Sequence, residues 1–174
     1  MKIIFLLFIT TLLDFGWCGA ATNAPAKTVS GFELEDQYET LHPVKFPKSK
    51  ITVLTVADQK GSEQVNDWIR RIYQRYEKRI DIAGVADVST VPARLRSFVR
   101  RAFKKQVDYP VMLDWGGGVS KSFGYSKNQV SVFVLSVEGT ILIHVSGKVT
   151  DLKLKSLFEK IDQALSLRPA PAPK

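Results

Sequence analysis

Three aspartates stand at the ends of apolar runs. Asp58 closes ITVLTVAD, Asp87 follows IDIAGVA, and Asp114 lies in VMLDW. Carboxylates gathered at strand ends could hold a divalent cation through oxygen ligands. The same residue type at the same place also caps the helix or turn that follows. No histidine joins the set, so capping is the expected role, with a metal site at Asp58, Asp87 and Asp114 as the alternative.

GGGVSKS at 116–122 offers glycines and a lysine. Phosphate-loop chemistry needs a glycine directly before the lysine, but Ser120 stands there and the loop is too short. His42 is expected in a Pro-containing loop. His144 alternates with Leu142 and Ser146 in a strand pattern. Neither histidine has a cysteine or second histidine at zinc-ligand spacing. No segment resembles a nucleophile elbow, although a Ser-His-Asp set stays open. These patterns call for no cofactor.

The densest chemical signal is charge. Residues 91–106 carry Arg94, Arg96, Arg100, Arg101, Lys104 and Lys105 and no acid. At helical spacing such a stripe could meet an anionic partner, either an acidic protein or a component of the cell envelope. The alternative is a solvated helix face. Its polar side lacks interleaved aromatics, so nucleic acid is not expected as the partner.

These residues sit in a chain of 174 residues with 45% hydrophobic and 24% charged residues, 11 Gly and 8 Pro. That suffices for one domain with its own core and excludes collagen-like and low-complexity classes. The net charge is +8, and there is one cysteine.

Lys2, the apolar run from Ile3 to Leu13 and the small residues Gly19, Ala20 and Ala21 predict a secretory signal over 1–21. The run is too short to cross a bilayer, which takes about 20 residues, and no later segment is membrane-spanning. An exported protein, periplasmic or secreted, is expected. Cys18 then leaves with the signal; Trp17 before it disfavours lipid attachment. Lys2 and Asp14 leave together, so the charge is unchanged.

Residues 22–30 predict a flexible lead-in, and the Pro-rich 168–174 a flexible tail. Between them, 31–167 alternate. Residues 51–57 read as a strand buried on both faces, and 80–86 as a second strand. Gly61-Ser62 opens a helix with a stripe at Val65, Trp68, Ile69, Ile72, Tyr73 and Tyr76. Thr90 and Pro92 start the basic helix, with a core-facing stripe at Leu95, Phe98, Val99, Ala102 and Phe103; a short strand follows at 111–115, and Gly116 to Gly118 start a brief helix. Residues 130–136 and 140–146 form an antiparallel hairpin, and a helix over about 150–167 closes the chain. This order makes a three-layer α/β/α sandwich on a mixed sheet.

Four segments together resemble the thioredoxin-like superfamily, in its peroxiredoxin and periplasmic thiol-disulfide reductase branch. They are FELED at 32–36, ITVLTVAD at 51–58, YPVMLDWGGGVSKSFGY at 109–125 and VSVFVLSVEGTIL at 130–142. The resemblance implies a thioredoxin-like fold and places redox cysteines near Ala57 and Lys60, or near Lys60 and Glu63. Here ADQKGSE stands, with no cysteine. The helix terminus that would lower a thiol pKa has no thiol to act on. The cis-proline that the resemblance implies aligns with Val130, where a cis peptide would cost about 2.5–4 kcal/mol.

The expectation is therefore an exported, cysteine-free binding or accessory module. Its candidate edge is Asp58, Gln59, Lys60 and Gly61 with Gln129 and Val130. A redoxin-type oxidoreductase borrowing a partner thiol is one alternative, and an electrostatic binder of anionic envelope surfaces through the 94–105 basic helix is the other. The resemblance also implies that the 62–79 and 91–106 helices cover opposite sheet faces.

Overall fold

The computed structural model describes residues 27–167. The predicted signal segment with Cys18, residues 22–26 of the predicted lead-in and the predicted tail at 168–174 lie outside the described residues.

A five-stranded sheet is built on β3 (Thr52–Ala57), whose six residues are all buried. The order is β5 (Met112–Asp114), β4 (Asp81–Asp87), β3, β6 (Ser131–Leu135), β7 (Ile141–Ser146), with β1 (Phe32–Glu35) and β2 (Leu41–Val44) forming a separate hairpin. β4 and β5 run parallel to their neighbours towards β3, whereas β6 and β7 are antiparallel. The sheet is mixed, as the order of runs predicts.

Side-chain alternation on β3 divides the core. Val53 and Ala57 meet Trp68, Ile72 and Tyr76 of α2 (Val65–Tyr76) and Leu154, Leu157 and Ile161 of α5 (Asp151–Ser166). Leu54 and Val56 meet Phe133, Met112 and Phe123, under the β1–β2 hairpin and α4 (Gly118–Ser122). These two helical layers around the sheet are the three-layer α/β/α arrangement.

α3 (Arg96–Gln106) corrects one expectation. Of its expected stripe, Val99 and Phe103 pack on Ala86 and Leu113, whereas Leu95 and Phe98 are exposed, because only one edge of the helix rests on the β4–β5 side of the sheet. Ala86 is in register with Ala57 and Leu113 with Ala86, so α3 lies on the α2 side of the sheet, not on the opposite face. Two successive right-handed crossovers in one direction along the sheet require this.

Three local differences have physical causes. The first long helix is divided into α1 (Gln59–Ser62) and α2, because Gln64 N–H closes a tight turn onto Gly61 O at 3.0 Å. His42 lies in β2 opposite Leu34 and not in a loop; its Nε2 is 2.7 Å from Asp36 Oδ2, and Asp36 also accepts Tyr38 and Thr40 N–H. Residues 27–30 are held rather than loose, since Thr28 bridges Thr140 and Val29 is buried.

Candidate functional site

The candidate edge forms where β3 ends. Asp58 is the N-cap of α1: its Oδ1 accepts Gly61 N–H at 2.8 Å. Its Oδ2 accepts Asn128 N–H at 2.8 Å, and its own N–H donates to Tyr125 Oη at 2.8 Å. Burial pushes the Asp58 carboxyl up, but hydrogen bonds from Asn128, Gly61 and Tyr125 outweigh burial and hold it below its ordinary 3.8. The carboxylate is charged and fully engaged, which suits a latch better than a general base.

Gly61 needs its missing side chain. A Cβ there would lie 2.4 Å from Gln129 O and 3.0 Å from Val130 N. The two halves of the expected edge, Asp58 to Gly61 and Gln129–Val130, are thus pressed together backbone to backbone. Gln59 and Lys60 are exposed and Gln129 half-buried, so these three side chains form the accessible part. Val130 is fully buried in the core shared with Trp68 and Leu157, and it shapes the edge only through its backbone: its carbonyl accepts Gly147 N–H at 2.8 Å.

Beside this edge runs a groove of about 370 Å³ lined by Asp87, Ser89, Gly117, Lys121, Tyr125 and Lys127, among others. Tyr125 joins the two, with its hydroxyl on Asp58 N and its ring on the groove. Burial, with Asp58 and Asp87 adding to it, pushes the Tyr125 phenol well above its ordinary value. It is a neutral hydrogen-bonding group at physiological pH. Tyr125 and Lys127 were not singled out from sequence; the only signal was the tyrosine–glycine pairing at 124–125.

The three aspartates are separate caps. Asp87 Oδ1 accepts Ser89 N–H at 3.1 Å, and Asp114 Oδ2 accepts Ser120 N–H and Oγ–H at 2.8 and 2.9 Å. Among the described residues no group of three or more His, Cys, Asp or Glu is arranged to hold a metal ion. Ser120, buried against Asp114, is unavailable to a phosphate.

The basic stripe is divided by its neighbours. Arg100 pairs with Glu35 and Glu39 at 2.6 and 3.1 Å. Arg96 and Arg100 lie over the Trp115 ring, 5.2 and 5.7 Å from its centroid, and Lys104 lies over Tyr38 at 5.4 Å. Arg94, Arg101 and Lys105 enter none of the ion pairs among the described residues.

This fold, with a βαβ unit, a third parallel strand and a closing antiparallel hairpin and helix, is thioredoxin-like. Solved structures agree. The pneumococcal exposed lipoprotein thioredoxin Etrx1 of Streptococcus pneumoniae is similar at 18% identity and a TM-score of 0.59, over 75% of this chain and 99% of that one. A thioredoxin-family thiol:disulfide interchange protein of Chlorobium tepidum matches at 14% identity and a TM-score of 0.57, over 82% and 99%. Peroxidoxin BcpB of Mycobacterium tuberculosis matches at 21% and 0.52, over 83% and 97%. No family model and no curated protein matches the sequence. No helix among the described residues is long and apolar enough to cross a membrane.

Proposed function

We propose that this chain is an exported thioredoxin-like module that works by thiol-independent binding, with Gln59, Lys60 and Gln129 as its contact edge and the Tyr125 groove beside it. One observation carries the reading. The segment where the resemblance places redox cysteines is occupied by Asp58-Gln59-Lys60-Gly61, and its backbone is latched shut by Asp58 and by the Gly61–Gln129 contact. The only cysteine of the chain, Cys18, lies in the signal-like segment. Two exposed side chains on a rigid backbone, next to a concave polar groove, suit recognition of a small ligand or peptide. Export is supported by the run at Ile3 to Leu13 and by the likeness to an exposed lipoprotein thioredoxin.

The test is a nuclear magnetic resonance screen of the ¹⁵N-labelled chain against small polar fragments and short peptides. Binding at this site perturbs amides clustered at Gln59 to Gly61, Tyr125 and Asn128–Gln129. Perturbations confined elsewhere, such as the shallow groove along α5 lined by Arg75, Leu154, Phe158 and Asp162, would overturn the assignment.

A further inference from the structure

We propose that the outer ridge of α3 is a docking face for an anionic phospholipid surface. None of the eleven residues of α3 is buried. The helix is anchored through the half-buried Val99 and Phe103, so the opposite side stands proud of the domain. Phe98, Arg101 and Lys105 follow one another at intervals of three and four along α3, which places them in one line, and Arg94 stands in the tight turn Ala93–Leu95 just before it.

The ridge combines two features that a merely solvated helix does not need. Phe98 is 67% exposed and Leu95 next to it 44%. The three cations around them enter neither an ion pair nor a ring contact among the described residues, whereas Arg100 is held by Glu35, Glu39 and Trp115, Arg96 lies over Trp115 and Lys104 over Tyr38. No acid lies anywhere in 91–106. The domain therefore consumes its inward cations and leaves an apolar residue ringed by free ones.

This is the pattern of a helix lying in the plane of a membrane interface, with an aromatic entering the headgroup boundary and basic side chains reaching phosphates around it. The shape favours a bilayer over an acidic protein. A convex ridge meets a planar surface directly, whereas a protein partner would have to supply a matching groove. The proposal does not depend on the Gln59–Lys60 edge, since α3 lies over the β4–β5 side of the sheet.

The experiment places a reporter on the ridge, so that the apolar run at Ile3 to Leu13 cannot mimic the result. In the full chain with Cys18→Ser and Ser97→Cys, a polarity-sensitive fluorophore is attached at position 97, which is exposed. It is titrated with vesicles of two parts phosphatidylcholine to one part phosphatidylglycerol. The expected result is a blue shift that is absent with phosphatidylcholine alone and fades as salt is raised. Arg101→Gln with Lys105→Gln weakens the midpoint roughly twenty-five-fold, about fivefold per charge. Phe98→Ser removes most of the shift, and both changes are at exposed positions that the fold tolerates. No shift with the anionic vesicles, or an equal shift with phosphatidylcholine alone, overturns the proposal. So does a shift given by soluble polyglutamate but not by vesicles, which assigns the face to an acidic polypeptide.

Discussion

The backbone N–H of Asn128 donates to the Asp58 carboxylate at 2.8 Å, across a sequence separation of 70 residues. One side chain thus caps α1 and ties the β3 end to the loop before β6. Asn128 adopts φ 65, a left-handed conformation that this residue type tolerates. Whatever chemistry this edge performs, its shape depends on Asp58.

Replacing Asp58 by alanine therefore removes a helix cap and a loop anchor together. The expected loss is about 2 kcal/mol, at the upper end for a cap alone, read as a lower urea midpoint with an unchanged slope.

The same carboxylate makes stability depend on pH with a defined sign. Its folded pKa lies below the ordinary value of 3.8, as do those of Asp36 and Asp162. The folded state binds the proton less tightly than the unfolded chain. The stabilisation is complete above the unfolded pKa and is lost as pH falls through the folded one. Denaturation midpoints measured from pH 6 down to about 2 should decline below about 4, and Asp58→Asn should flatten part of that decline.

Gly61→Ala tests the contact between the two halves of the edge. The new Cβ would meet Gln129 O at 2.4 Å, and the obstacle is backbone rather than a movable side chain. Overpacking of this kind costs about 3 kcal/mol. A variant as stable as the parent would mean that the two segments are further apart than described.

At alkaline pH the expected change lies with the two raised phenols, Tyr125 and Tyr76, and the Tyr76 part is separable. Burial first, and then its hydrogen bond to Asp162, push the Tyr76 phenol up to about 12. The stabilisation is complete below the unfolded value of about 10 and is lost as pH rises through the folded one. Stability should therefore fall between these values, and Tyr76→Phe should remove that part of the fall while costing about 1 kcal/mol at neutral pH for the lost hydrogen bonds.

Arg100 ties the β1–β2 hairpin to α3 through Glu35 and Glu39, and its side chain is only 14% exposed. Arg100→Ala should destabilise by roughly 2 kcal/mol. Arg100→Lys should rescue little, because an ammonium cannot grip two carboxylates and stack on Trp115 together. Thermal melts of the two variants check this.

Much of the architecture could be read in advance because its signals are local. ITVLTVA is apolar and β-branched throughout, and it is the buried central strand. Trp68, Ile72 and Tyr76 recur at helical spacing, and they are the buried face of α2. The β1–β2 hairpin was not anticipated: its strands are four residues each, and His-Pro in β2 resembles a loop. The break after Ser62 is a turn closed by Gln64 N–H on Gly61 O, and Gly61 is pressed against Gln129, a contact between distant segments that no local pattern encodes. For the same reason Tyr125 was missed, since its role is set by a hydrogen bond to Asp58 N. The division of the basic stripe was equally hidden, because Glu35, Glu39 and Trp115 lie outside the helix they neutralise.

The proposed function requires this fold to work without a thiol. The most direct measurement is reduction of insulin disulfides by glutathione, an external thiol, in the presence of the full chain and of its Cys18→Ser variant. Both chains should leave the rate equal to that in buffer. A rate above buffer that persists in Cys18→Ser would contradict it, and would show that the Asp58 to Gly61 edge promotes exchange with a borrowed thiol.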